Sequence, residues 1–377
     1  MHYYNKVIQR HVEGRGRYLV ASKDIVRGEI VLYEQPFAHT INYRDALARQ
    51  LCHRCLRQLC TSSQASQLDG CNTCQTTYYC SIECRELDTP MHSIECQQYQ
   101  RLASTSMFDN DCKSMLKLCL RVLVMRHLAP TSESFDNVLQ LCDNRHQFSA
   151  SRMADLGKVA RFLEKGLNMG TAATKTEVLR GLTQMDLVRL MCVLECNTHE
   201  IGLTLEPYKY SSVGSALYIM ASYFNHSCQP NVCRVNREGD GGALSMIALA
   251  DIPAGTELSY NYIQLSLSNE ERKTKLFDSY FFNCVCPGCA VVSSGSAGST
   301  KSSKGRRSAK GGEPVQSKSQ QAYLKRYLCD RDGCNGVRIS NGPSSSCSMD
   351  QGKPTQVCNI CLPVSQWPIG IVRWEDQ

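Results

Sequence analysis

The sequence predicts an α+β fold with inserted cysteine-rich modules, and three observations lead to this prediction. β-branched runs with turn signals occur in residues 1–48 and return in residues 191–264, which indicates short strands. Between them, residues 98–190 show apolar residues at helical spacing. Paired cysteines crowd residues 49–97, and a further group lies in residues 265–290. A chain of 377 residues can bury the sizeable core that such a fold needs.

The amino-terminal part, residues 1–48, begins the strand pattern. Two β-branched runs flank an Arg-Gly turn signal at residues 27–28. The same part contains GRGR at residues 14–17, and a glycine-containing hairpin is the common explanation of that spacing when it stands alone.

The next part, residues 49–97, carries seven cysteines and one histidine in four short pairs. These are Cys52-x2-Cys55, Cys71-x2-Cys74, Cys80-x3-Cys84 and His92-x3-Cys96. Eight ligands suit two tetrahedral zinc ions, and short spacings let a tight turn direct both ligands of a pair at one metal. A disulfide framework is the alternative. The first thirty residues lack the apolar core of a signal peptide, so we expect a reduced, intracellular compartment in which metal binding is the usual role of paired cysteines.

Residues 98–190 predict helices that belong to the core. One candidate spans residues 115–128 and is ended by Pro130. A second shows apolar residues three and four apart: Met153, Leu156, Val159, Phe162, Leu163 and Leu167.

The carboxyl-terminal third changes character several times. Strand patterns in residues 191–264 give way to a charged helical stretch and a CxCxxC cluster in residues 265–290. Residues 291–320 are rich in Ser, Gly and Lys and are predicted to be disordered. Residues 321–365 hold a last module similar to a zinc ribbon or knuckle, a candidate fourth metal site with Cys329, Cys334, Cys358 and Cys361.

The charge of the chain argues against nucleic-acid binding. The formal net charge is +7, and residues 291–326 alone carry eight Lys or Arg against a single Glu. The rest of the chain is formally neutral, so no basic recognition face is indicated. No apolar run approaches the roughly 20 residues of a membrane span.

Three motifs carry a family resemblance. NHSCQPN at residues 225–231, ELSYNY at residues 257–262 and the CxCxxC cluster together resemble a SET-domain protein lysine methyltransferase. YYCSIEC at residues 78–84 and the following H-x3-C resemble a MYND finger. The chain is thus similar to the SET-and-MYND family over about residues 5–290. This implies a SET β-fold split by the finger and a helical region, with a zinc-bound post-SET segment.

The resemblance also implies which ligands share a metal. In MYND fingers alternate pairs share a zinc, which would group Cys52, Cys55, Cys80 and Cys84, and separately Cys71, Cys74, His92 and Cys96. Cys228 would complete a third site with Cys284, Cys286 and Cys289, whose three thiols leave one coordination place open. We therefore expect three zinc ions, or four with the terminal module.

By the same resemblance the cofactor is S-adenosylmethionine. Gly16 would let the backbone approach it, and Arg15 and Arg17 would bind its methionine carboxylate. The remaining implied cofactor residues are Asn197, Asn225, His226, Tyr280 and Phe282. The last two would also wall the lysine channel, and ordinary hydrophobic packing is their alternative. His199 receives no role and is expected to be solvent-facing or in the core.

Tyr262 aligns with the catalytic tyrosine of the family, and Tyr260 is the second choice. A structural role stays open for either. An apolar channel would favour the neutral lysine amine, and orientation would supply much of the rate.

Two functions follow from the resemblance. The first is methyl transfer to lysines of histone or non-histone proteins, and the second is a weakly catalytic scaffold that binds zinc and proteins. A proline-rich peptide bound by the finger is an implied partner, and the chain is expected in cytoplasm and nucleus. Relatives often continue into a helical repeat domain that walls the substrate cleft, whereas this sequence has the terminal cysteine module instead.

Overall fold

The structure is a computed structural model. It describes residues 6–14, 16–43, 50–59, 69–129, 133–168, 177–289, 317–340 and 356–361. Arg15 and most of the linker expected at residues 291–320 lie outside the described residues. None of the helices in these ranges combines the length and apolar character that crossing a membrane requires.

In the described residues the amino-terminal part forms four strands, whereas its pattern of two β-branched runs indicates a pair. β1 (Val7–Val12) and β2 (Gly16–Ala21) make an antiparallel hairpin, and β3 (Ile30–Glu34) and β4 (Ala38–Ile41) follow. Gly14 and Gly16 flank the hairpin turn with φ values of +78° and +82°. Such a backbone favours glycine, which explains the GRGR spacing.

The cysteine-rich part is compact. It contains β5 (Asp69–Gly70), paired with β6 (Tyr78–Tyr79), and then enters the long helix α1 (Ile82–Ser104). Ser81 caps this helix by accepting a hydrogen bond from the Cys84 amide (3.2 Å).

The helical region comprises α1 and four further helices: α2 (Asn110–Leu128), α3 (Glu133–Leu139), α4 (Ala150–Asn168) and α5 (Gln184–Asn197). Both helices predicted from periodicity are present, as α2 and α4, and their apolar faces lie in the main core. A buried ion network joins α1 to α2, since Arg121 contacts Asp88 at 2.8 Å and Glu95 at 2.6 Å. α5 begins at a capping box formed by Thr183 and Asp186. It continues past the expected boundary at residue 190, because its apolar face stays buried to Leu194.

The second strand region completes three sheets. Its strands are β7 (Thr198–Glu206), β8 (Lys209–Leu217), β9 (Asn225–His226), β10 (Val232–Asn236), β11 (Leu244–Ala248) and β12 (Glu257–Tyr260). The sheet orders are β1-β2-β12-β9, β10-β11-β3 and β4-β8-β7, so each sheet combines strands from before and after the helical region. The predicted α+β class, with a β-fold split by the finger and helices, is confirmed.

The carboxyl-terminal part differs from expectation at one point. α6 (Asn269–Tyr280) precedes the CxCxxC cluster, and α7 (Lys318–Tyr327) precedes the hairpin of β13 (Arg338–Ser340) and β14 (Gln356–Cys358). Disorder was predicted through residue 320, but residues 318–320 are the first turn of α7. Ser317 caps this turn, and Gln320 is fully buried and donates to the Cys228 carbonyl (3.0 Å).

Candidate active site and metal centres

The site forms where two distant segments run side by side. β9 and β12 pair in parallel, with Ser259 opposite Asn225 and Tyr260 opposite His226. The Ser227 amide extends this pairing by donating to the Tyr260 carbonyl (3.0 Å). NHSCQPN and ELSYNY therefore meet at one place in the fold.

Tyr262 is the centre of an aromatic cluster at this place. Its ring centroid lies 4.9 Å from those of Tyr260 and Tyr280, 5.4 Å from His226 and 6.4 Å from Phe282. The Tyr262 amide donates to Nδ1 of His226 (3.0 Å), which fixes the orientation of the imidazole. Burial holds the pKa of Tyr262 well above its ordinary value, so the hydroxyl stays protonated.

The hydroxyls of the two tyrosines have different partners. Tyr262 donates to the Phe224 carbonyl (2.5 Å), whereas the Tyr260 hydroxyl lies 3.3 Å from Nδ1 of His199. The imidazole of His199 stacks on Tyr260 with an interplanar angle of 20° and is 5% exposed. Burial lowers the pKa of His199 to about 3, so this ring is neutral near pH 7. The core alternative expected for His199 is thus the one observed.

One cavity, here called the inner cavity, has a volume of about 990 Å³. The predicted cofactor residues that the structure describes all line it: Gly16, Arg17, Asn197, Asn225, His226, Tyr280 and Phe282. Tyr262 lines it as well. A Cβ placed on Gly14 or Gly16 would meet no atom within 4 Å, so the hairpin turn leaves open space at this wall.

Several of these side chains already have hydrogen-bond partners. Arg17 donates to the Tyr223 hydroxyl (3.1 Å) and to the Gln140 carbonyl, with its guanidinium 4.7 Å from the Tyr223 ring centroid. Asn225 donates to Glu257 (3.1 Å). A guanidinium has five N–H donors, so Arg17 keeps donors for an anionic group at the cavity.

A second cavity, the outer cavity, has a volume of about 800 Å³. His199, Tyr260 and Lys275 line it. Five residues line both cavities and separate them: Cys196, Asn197, Ser222, Tyr262 and Tyr280. A molecule in each cavity would therefore approach the other at this shared wall, which includes Tyr262.

Among the described residues the predicted metal ligands form four groups, of which three are those that the family resemblance implies and the fourth is the candidate site of the terminal module. In each group all ligand atoms lie within 4.8 Å of one another. The groups are Cys52, Cys55, Cys80 and Cys84; Cys71, Cys74, His92 and Cys96; Cys228, Cys284, Cys286 and Cys289; and Cys329, Cys334, Cys358 and Cys361.

The distances within these groups fit zinc and not disulfides. Sulfur atoms are 3.5 Å apart in Cys55 and Cys80, and 3.4 Å apart in Cys228 and Cys289. Zinc–sulfur bonds of about 2.3 Å in a tetrahedron place sulfurs about 3.8 Å apart. A disulfide requires about 2.05 Å. The donor sets therefore suit tetrahedral zinc, which would cross-link the loops that carry them.

The third group has a buried cationic partner. Arg272 on α6 is fully buried, and its Nε lies 3.2 Å from Sγ of Cys228. Its other nitrogens donate to the carbonyls of Leu267 (2.6 Å) and Gly288 (3.2 Å). Four thiolates around a zinc ion carry a net charge of −2, and Arg272 offsets part of it.

A family model for the SET domain matches residues 16–263. The chain belongs to the SET domain family. One relative is the N-lysine methyltransferase SMYD2-A of Xenopus laevis, 29% identical over 286 residues, and the predicted resemblance to SET-and-MYND proteins is confirmed. A SET and MYND domain-containing protein of Dictyostelium discoideum is 26% identical over 308 residues.

These SET-domain matches have a limited extent. The alignment with the Xenopus protein covers 74% of this chain and 59% of that protein, and the Dictyostelium match covers 73% and 58%. A solved SET domain of LSMT bound to lysine and AdoHcy is 18% identical, with a TM-score of 0.33, and the match covers 74% of this chain and 53% of that one.

Sequence reasoning missed several residues that position the SET site. Glu34 on β3 is buried and accepts hydrogen bonds from the amides of Met220 (2.9 Å) and Ala221 (2.8 Å), just before NHSCQPN. Burial raises the pKa of Glu34 to about 7. Arg272 was read only as part of a charged helix. Glu34 ends an apolar strand and Arg272 lies in a charged helix, and neither position indicates which segment the side chain contacts, so only the tertiary fold reveals these two contacts.

Proposed function

We propose that this protein transfers a methyl group from S-adenosylmethionine to a lysine side chain of a histone or non-histone protein. The observation that carries this proposal is the meeting of the two cavities at Tyr262. The SET domain match and the relative named as an N-lysine methyltransferase support it.

The inner cavity offers groups that suit S-adenosylmethionine. When bound, this cofactor supplies an activated methyl group on a sulfonium. Arg17 provides a cation for the carboxylate, and the rings of Tyr280 and Phe282 provide flat apolar surfaces for adenine. Asn225 and His226 lie on the parallel strand pair and can bind the polar atoms between these ends.

The outer cavity would admit the lysine. The rings around Tyr262 form an apolar environment that disfavours the ammonium, so the bound amine would lose its proton more readily than in water. The Tyr262 hydroxyl, oriented by the Phe224 carbonyl, would hold the amine in line with the methyl.

Calorimetry with S-adenosylmethionine, followed by labelling of lysine peptide arrays, tests the proposal. Wild type is expected to bind the cofactor and label array peptides, and Asn225→Ala to bind at least about tenfold more weakly, because a half-buried hydrogen-bonding amide that lines the cavity is lost. Asn110→Ala, at an exposed position on α2, is the matched control. No heat with wild type would refute the proposal. Heat without labelling of any peptide would favour a scaffold that binds cofactor and does not transfer methyl groups.

We also propose that the finger binds a proline-rich peptide. Two apolar side chains at the start of α1 support this, since Ile82 is 69% and Leu87 is 53% exposed. Proline-rich peptides dock in grooves lined by aromatic side chains, and Ile82 and Leu87 are the exposed large apolar side chains of the described part of the finger. Fluorescence anisotropy with a labelled proline-leucine repeat peptide is expected to show binding that Ile82→Ser weakens. Equal binding by both proteins would contradict the proposal.

A further inference from the structure

The terminal cysteine module, residues 329–340 and 356–361, lies beyond the part of the chain that matches the SET domain. Its sulfur atoms are 3.7 Å apart in Cys329 and Cys361, and also in Cys334 and Cys358. The Gly336 amide donates to Sγ of Cys334 (3.4 Å), which is an arrangement that stabilises a thiolate. The module thus has the geometry of a zinc site of its own.

This module is docked on the β7–β8 hairpin through backbone groups next to its ligands. Thr204 donates its hydroxyl to the Ile360 carbonyl (2.7 Å), and the Tyr208 amide donates to the Cys361 carbonyl (2.6 Å). Both acceptors lie in the turn that carries Cys358 and Cys361. The conformation of that turn, and with it these two hydrogen bonds, depends on what holds the two sulfurs. The apolar side chains of the module also pack against residues of β3, β10 and β11.

Side chains of the module make further contacts with the SET core. The guanidinium of Arg331 lies 3.8 Å from the ring centroid of Tyr208. Asn335 accepts a hydrogen bond from Ser266 (2.6 Å), in the loop that follows the tyrosine segment. The module therefore spans from the β7–β8 hairpin to the loop after Tyr262.

Between these two attachments the module borders the outer cavity. Arg331, Asn335 and Ile360 line it, opposite Tyr260 and Tyr262. Any protein segment that inserted a lysine towards Tyr262 from this cavity would pass along the module.

We propose that Cys329, Cys334, Cys358 and Cys361 bind a zinc ion. This ion holds the terminal cysteine module in place as one wall of the outer cavity. The segment that flanks the acceptor lysine lies against this wall. The part that concerns the acceptor rests on the proposed methyl transfer. Metal is the expected support because so small a module buries little apolar surface of its own: Val337, Ile339 and Val357 are its buried apolar residues among those described.

The zinc part is tested on the full-length protein without a substrate. Cys358→Ser is expected to lower the zinc content by about one ion per chain, while Cys112→Ser, a cysteine outside the four groups, leaves it unchanged. Hydrogen exchange of residues 204–210 is expected to rise at least about tenfold in Cys358→Ser, because the docking bonds are released. Affinity for S-adenosylmethionine is expected to stay within about twofold, because the module does not line the inner cavity. Unchanged zinc content or unchanged exchange would overturn the proposal.

The acceptor part is tested with Thr204→Val, which removes one docking hydroxyl and leaves every cysteine in place. This variant is expected to retain all zinc and to show an altered pattern of labelled lysine peptides, with KM raised several-fold and kcat nearly unchanged on a peptide that wild type labels. If wild type, Thr204→Val and Cys358→Ser labelled the same lysine peptides with the same KM values, the terminal cysteine module would not contact the substrate, and this part of the proposal would be refuted. If wild type itself failed to bind cofactor, the proposed methyl transfer would fall, whereas the zinc part would still be decided by metal content and exchange.

Discussion

At the scale of single residues, the two tyrosines of ELSYNY show why a motif does not assign roles. Both rings join the same cluster, yet the hydroxyl of Tyr260 faces the buried imidazole of His199 and that of Tyr262 faces the Phe224 carbonyl. Of these two tyrosines, Tyr262 lines both cavities, whereas Tyr260 lines the outer cavity and not the inner one. This difference supports Tyr262 as the residue that acts on the amine.

Tyr262→Phe is expected to lower kcat about 100-fold or more while S-adenosylmethionine affinity changes by less than about threefold. The lost hydroxyl orients the amine and the methyl, and removing one such group at a reacting centre has an effect of this size. Initial rates and calorimetry on the same preparation measure both quantities.

Tyr260→Phe is the matched control and should lose less activity, since its hydroxyl faces His199 and its side chain does not line the inner cavity. Wild-type turnover by Tyr262→Phe would show that the catalytic assignment is wrong.

His199 makes stability depend on pH in a defined direction. Burial lowers its pKa in the folded state to about 3, below the ordinary value of about 6.5, so below pH 6.5 the unfolded chain binds a proton that the folded chain does not. Stability conferred by the neutral ring is therefore lost as the pH falls. From pH 6.5 to pH 5.5 wild type should lose about 1 kcal/mol more than His199→Gln.

Denaturant unfolding of both proteins at these two pH values measures the difference. The buried His39 and His53 titrate in both proteins, so their effect cancels. His146→Gln, at an exposed position, controls for the substitution itself. An equal loss in wild type and His199→Gln would contradict the assignment of a buried, neutral imidazole.

The metal ligands were the easiest residues to predict, and the cofactor residues the hardest. Short-spaced cysteines are typical of a metal site. The family pattern then indicates which of these ligands share a metal. Arg17 was predicted to bind a carboxylate, and that role stays a prediction, but its contacts with Tyr223 and Gln140 join segments that no local pattern connects. Catalytic roles depend on such long-range contacts.

At the scale of elements, α6 supports the third metal group from the side. Arg272 hydrogen-bonds the sulfurs of Cys228 and Cys289, and Leu276 of the same helix packs against these cysteines. The helix is held in place by a capping box between Ser268 and Glu271. This cap fixes the start of the helix and therefore the position of the Arg272 guanidinium.

Arg272→Met is expected to destabilise the protein by about 3 kcal/mol, because the buried negative charge of the sulfurs loses its cationic partner. It should also raise the rate at which a chelator removes one zinc ion. Thermal unfolding and a colorimetric chelator assay measure these effects.

Lys273→Met removes the same charge from the neighbouring position and serves as the control. If the two variants behaved alike, the effect would come from net charge and not from the contact with Cys228.

α7 shows how composition can mislead at the scale of an element. Its first turn was assigned to disorder because the preceding residues are polar and of low complexity. Gln320 is nevertheless buried against the Cys228 carbonyl, and Tyr323 donates to the Pro230 carbonyl (2.7 Å). The helix is fixed by hydrogen bonds to another segment, which no periodicity in its own sequence indicates.

At the scale of the whole molecule, the four cysteine groups stand in different relations to the cavities. Only the third group shares a segment with the inner cavity, because His226 and Cys228 are both in NHSCQPN and Cys284 and Cys286 line the cavity. The first finger group lines neither cavity. Loss of one metal should therefore have effects that depend on the group.

Cys228→Ser is expected to remove about one zinc ion and to weaken S-adenosylmethionine binding at least about tenfold. Cys80→Ser, in the finger, should also remove about one zinc ion but leave cofactor binding within about threefold. Metal analysis and calorimetry on both variants measure this contrast. Equal loss of cofactor binding in the two would mean that the finger and the SET core are not independent.

The pairing of β2 with β12 has a consequence for biosynthesis. Leu19 pairs with Leu258, so the amino-terminal hairpin lacks this sheet partner until some 240 further residues have been translated. At about 5 to 20 residues per second, the wait lasts roughly 12 to 48 s. The finger emerges in the meantime and can bind its metal on the ribosome. A nascent chain with an unpaired hairpin edge is prone to aggregate, so the edge of β2 is exposed to wrong pairing until β12 has been made.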